Sequence, residues 1–137
     1  MSSVKIRLQN YKEVKASMYE YKIQIEELEE DICCGGVSYE FKGGHTNKIS
    51  SSTEDIAIKL ASKKEELEKL FKISSREIER IDNALNMLKV KERQAIELRF
   101  IEEDAMSTVC YKLDRSMTTT KRFIRDGLEK MEKLLEN

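Results

Sequence analysis

The chain has 137 residues, enough for one domain with a real core or for a small domain joined to an extended helical segment. Its 39% hydrophobic and 37% charged residues, with no proline, no tryptophan and five glycines, disfavour sandwiches and barrels and predict an all-α fold. A net charge of −1 gives no overall electrostatic case for nucleic acid, so any such binding must come from local charge separation.

Residues 4–32 place apolar or aromatic side chains at Tyr11, Val14, Met18, Tyr21, Ile25, Leu28 and Ile32. These alternating steps of three and four form a heptad seam that is buried only against another helix. Val4 extends the series, Arg7 interrupts it, and Leu8 sits one position off it. A helix this long would run about 43 Å at 1.5 Å per residue, so it needs a long partner.

The segment CCGGVSYEFKGGHTNKISSS, residues 33–52, predicts a loop. Paired glycines stop the helix, and the alternation of Val37, Tyr39 and Phe41 with Ser38 and Glu40 suggests a short extended piece. Cys33 and Cys34 are adjacent, which is not the spacing of a zinc site, and His45 is the sole histidine, so neither a metal nor a cofactor is expected. Three cysteines also argue against a disulfide framework and fit a reducing compartment. No apolar h-region opens the sequence and no run approaches the roughly 20 residues of a membrane span. The expected localisation is cytoplasmic, with no membrane partner.

Ser51-Ser52-Thr53-Glu54 resembles a capping box that would start the next helix. Ile56, Leu60, Leu67, Leu70, Phe71, Ile78, Ile81, Leu85 and Leu88 continue a helical stripe to residue 88, with Lys63 and Ser74 on its seam. The economical arrangement folds 53–88 back on 4–32 as a long hairpin occupying residues 1–90. An intramolecular hairpin and a dimerisation coil predict the same pattern.

In residues 91–137 the helices shorten. Ile96, Leu98, Phe100 and Ile101 mark one that ends before EED at 102–104; Val109, Cys110 and Leu113 mark a second; Thr120, Phe123, Ile124, Leu128, Met131 and Leu135 mark a third. Between the last two, Asp114 sits where positive φ is wanted, and Ser116 is placed to cap the following helix.

A helix-turn-helix needs this layout, with a second helix polar outside and apolar inside. Residues 111–125 carry Lys112, Arg115, Lys121, Arg122 and Arg125 against the single carboxylate of Asp114, whereas EELEED at 26–31 is strongly acidic. Met117, Thr118, Lys121 and Arg122 would face base edges, where cations reach guanine and the methyl-bearing side chains reach thymine. Lys112, Arg115 and Arg125 would hold phosphates, with Ser116 beside them at the cap. No base–nucleophile pair can be proposed from spacing, so the expectation is a non-enzyme.

LNMLKVKERQAIELRF at 85–100, VCYKLDRS at 109–116, and Phe123 with Leu128 resemble the fourth region of bacterial sigma factors. In this chain Asp114 stands for that pattern's usual glycine, and Met117-Thr118-Thr119-Thr120 replaces its basic stretch. The layout of long helix, glycine-containing middle and sigma-like end resembles phage late-transcription regulators of the RinA/ArpU type. That resemblance implies a sequence-specific regulator of phage or prophage type, with double-stranded DNA, host RNA polymerase and a second copy of the chain as partners. A small-terminase-like packaging oligomer and a structural coiled-coil adaptor are the alternatives.

Overall fold

The computed structural model describes the backbone of residues 3–42 and 47–136, and side chains for 3–32 and 54–136. The described residues are all-helical: α1 (Ser3–Gln9), α2 (Tyr11–Lys42), α3 (Asn47–Asn86), α4 (Val90–Ile96) with a π-helical turn (Glu97–Ile101), α5 (Met106–Leu113) and α6 (Met117–Leu135). The chain divides into two compact units, one of residues 1–15 with 76–137 and one of residues 16–75.

Two expectations for the middle of the chain are corrected. α2 continues through Gly35 and Gly36 to Lys42, where a loop with an extended piece was expected, and α3 begins at Asn47, which puts Ser51 inside the helix rather than at its cap. Among the described residues there is no strand for a five-residue alternation to pair with. Once a helix is nucleated each further residue adds a hydrogen bond, so two glycines at about 1 kcal/mol each need not stop it. The metal and glycine-loop readings at Cys33, Cys34, Gly43, Gly44 and His45 fall on side chains or residues outside those described.

In the unit of residues 16–75, the seam positions Met18, Tyr21 and Ile25 are half-buried and Leu28 is buried, while Tyr19 and Ile23, off the seam, are about half exposed. On α3, Leu60, Lys64, Phe71 and Ser74 are half-buried around the buried Leu67. Lys64, not Lys63, therefore lies on the inner stripe, and its Nζ reaches Glu29 of α2 at 3.1 Å. Ile56 and Leu70 point outward instead.

The unit of residues 1–15 and 76–137 holds the larger core. The predicted single helix over 4–32 is interrupted at Asn10, although hydrogen bonds pass through the turn, from Asn10 N–H to Ile6 O (3.0 Å) and from Val14 N–H to Asn10 O (2.9 Å). The break lets α1 turn a different face inward. Val4 and Leu8, both fully buried, join Ile81 and Leu85 of α3, Ile96 of α4 and Met131 of α6 in one cluster. Arg7, read from sequence as an interruption, donates from Nε and Nη2 to the two carboxylate oxygens of Glu77 (2.6 and 3.0 Å) and from Nη1 to Leu135 O (3.3 Å). That planar fork ties α1 to both α3 and the end of α6.

Tyr11 belongs to the same unit. Its hydroxyl donates to Asp82 Oδ1 at 2.6 Å, and burial together with that bond pushes the phenol up to about 12. At the start of α4 the buried Glu92 accepts from Lys89 N–H (3.2 Å) and from Lys130 Nζ of α6 (2.8 Å). Burial raises its carboxyl, but these two donors outweigh that effect and leave it below the usual glutamate range. Gly127 lets α6 approach α4 here, because a Cβ at this position would overlap Ile96 Cδ1.

Candidate nucleic-acid interface

A second cluster, Ala95 with Val109 and Leu113 and flanked by Leu98, Phe123 and Ile124, seats α5 and α6 against α4. These apolar side chains fix which face of α6 looks inward. Thr120, also wholly buried, completes the inner stripe, and its hydroxyl finds no partner among the described residues.

The three residues between α5 and α6 form a tight turn. Asp114 adopts the left-handed conformation at φ 55°, ψ 49°, as expected from sequence. Its N–H donates to Tyr111 O (3.2 Å) and the Arg115 N–H donates to Cys110 O (3.1 Å), which satisfies carbonyls left over at the end of α5. Ser116 then caps α6, its Oγ accepting from Thr119 N–H at 3.3 Å. Asp tolerates positive φ only at a cost. Asp114→Gly is expected to stabilise the fold by about 1 kcal/mol or less, and Asp114→Val to destabilise it; the order of their melting temperatures checks this, and equal melting would mean that φ at 114 is not positive.

All eight residues expected to contact DNA are exposed. They differ in how free they are. Lys121 and Arg122 make no hydrogen bond or ion pair among the described residues, whereas Arg125 Nε lies 3.7 Å from Asp126 and Arg115 Nη1 donates to Asp114 O at 2.9 Å. Lys112 Nζ is paired with Asp104 at 2.9 Å, so its charge is partly neutralised before any ligand arrives. Met117 Sδ sits 3.9 Å from Cys110 Sγ, which leans this flexible side chain toward α5. Thr118 is open to solvent.

Around these residues lie two concavities. One, at the turn, is lined by Ser107, Tyr111, Lys112, Arg115 and Ser116 among others. The other, a groove of about 330 Å³, is lined by Lys121 and Arg125 of α6 together with Lys5 and Arg99. Tyr111, 87% exposed, and the cations Lys5 and Arg99 are absent from the set read off the sequence. Tyr111 was legible as the outward position between Val109 and Leu113. Lys5 was not, since its neighbours in the groove lie at the other end of the sequence.

Among the described residues no helix is long and apolar enough to cross a membrane, and no group of three His, Cys, Asp or Glu side chains is placed to hold a metal ion. No protein-family model, curated protein or solved structure matches the chain.

Proposed function

We propose that the chain is a sequence-specific DNA-binding transcription regulator of phage or prophage type, with α5 and α6 acting as a helix-turn-helix. The observation that carries this reading is the outer face of α6, where Lys121 and Arg122 stand exposed without a protein partner on a helix whose entry is fixed by Asp114 and Ser116. With no protein partner to give up, both side chains can reach base edges in the major groove without breaking an existing ion pair. The sigma-like pattern over 85–128 supports the same assignment.

Arg122 and Arg115 carry equal charge and should do different work. Arg122→Ala is expected to cost about 1–3 kcal/mol on the specific site and to flatten discrimination at one or two base pairs. Arg115→Ala is expected to weaken specific and random DNA alike and to lower the salt slope by about one unit, because one fewer phosphate is neutralised. Fluorescence anisotropy across a salt series, on a site footprinted in the source genome and on a scrambled duplex, separates the two. Wild-type affinity in both variants at every salt concentration would reduce this face to a solvated surface.

The packaging alternative draws on a different observation. In the unit of residues 16–75, Ile58 and Ile73 are each 67% exposed, which leaves apolar surface for assembly. Light scattering discriminates: a ring of many subunits favours packaging, and a monomer or dimer favours regulation.

A further inference from the structure

We infer that the groove between α6 and the pair Lys5 and Arg99 holds a second phosphodiester strand, so that α1 forms part of the DNA interface. The inference rests on the reading of α6 as a recognition helix. A helix lying in the major groove, about 12 Å wide, has one phosphate backbone on each side. The turn with Arg115 and the partly neutralised Lys112 serves one flank. The other flank is the groove. Lys121 and Arg125, one helical turn apart, belong both to its wall and to the exposed face of α6, so groove and reading face are continuous.

The chemistry of the lining fits a polyanion. Four of its residues are cations and none is a carboxylate. Lys5 and Lys121 make no ion pair among the described residues, and Arg99 uses only Nη1 inward, donating to Asp104 O at 3.0 Å. An isolated cation on a surface is ordinary. Arg125 is loosely paired with Asp126 at 3.7 Å. Three cations without an ion pair and a fourth that is partly compensated therefore converge on one groove whose lining holds no carboxylate, and a phosphate backbone relieves their repulsion while releasing its own counterions. The apolar floor of Phe100, Ile124 and Leu128 leaves room for sugar edges, which need no hydrogen-bond partner.

The test uses the full chain with Lys5→Ala, Lys5→Arg and Arg99→Lys, measured by anisotropy on the footprinted and scrambled duplexes across a salt series. Lys5→Ala should lower the salt slope by about one unit on both duplexes, and Lys5→Arg and Arg99→Lys should keep it, since charge rather than shape is what the strand recognises. A lowered slope that Lys5→Arg fails to restore would show that fold damage, not charge, is responsible, and would overturn the inference. If Arg115→Ala lowers the slope while Lys5→Ala leaves it unchanged, the DNA reading stands and the second strand does not. Loss of poly-L-glutamate binding in Lys5→Ala with an unchanged DNA slope would assign the groove to an acidic protein segment and overturn the inference too. A wild-type chain that binds no duplex at low salt would remove both readings together.

Discussion

Leu8→Ala is expected to destabilise the unit of residues 1–15 and 76–137 by about 2–5 kcal/mol, the range for emptying a buried leucine site that cannot fully collapse. Leu8 is wholly buried and belongs to a cluster with side chains from α3, α4 and α6, so its loss opens space against several helices at once. Ile6, on the same short helix but 46% exposed, is the internal control, and Ile6→Ala should stay within about 0.5 kcal/mol of wild type. Urea unfolding followed by circular dichroism reads both. Equal midpoints for the two variants would show that α1 is not part of this core. On the same grounds a fragment of residues 91–137 is expected to fold poorly, because Ile96 and Met131 would lose Val4, Leu8, Ile81 and Leu85 as neighbours.

The second large effect is expected at Gly127, where a Cβ would overlap Ile96 Cδ1 and would stand 3.5 Å from Leu88 Cδ1. Gly127→Val adds a branched side chain at this crossing and should cost about 3 kcal/mol, the upper part of the usual range for overpacking. Gly127→Ala should cost less, because alanine's helix propensity recovers up to about 1 kcal/mol relative to glycine. Glu129→Val, at an exposed position two residues on, controls for the weaker helix propensity of valine. Melting temperatures should rise in the order Gly127→Val, Gly127→Ala, Glu129→Val; a Gly127→Val chain that melts with wild type would mean that the end of the Ile96 side chain yields at this crossing or that α6 does not approach α4 so closely.

Much of the C-terminal architecture was legible because its signals are local. A left-handed residue, a serine cap and an apolar stripe at 3.6-residue spacing each act within one or two turns of helix, and Asp114, Ser116 and the run from Thr120 to Met131 behave in the structure as those rules require. What the sequence hid was long-range. Leu8 looked misplaced because it was judged against the seam of α2, whereas its neighbours lie in α3, α4 and α6. Arg7 looked like a defect until Glu77 was found opposite it. Gly127 carries no mark in the sequence that it stands at a helix crossing. At 33–42 the local cues were present but outweighed: two glycines and a brief alternation weigh less than the cooperativity of a helix already under way.

The Arg7 bond to Leu135 joins positions 128 apart in sequence, and Val4 and Leu8 meet Met131 across a similar span. Bringing the ends of such a long chain together costs roughly 4 kcal/mol in closure entropy beyond a constant term. Most helical proteins avoid that cost by building their cores from near neighbours, and they fold quickly as a result. On this basis α1 is expected to dock after the intervening chain has come round. Its arrival should be the late step of folding: refolding traces should show α4 to α6 gaining helix first and the Leu8 contacts last, and Leu8→Ala should accelerate unfolding far more than it slows folding.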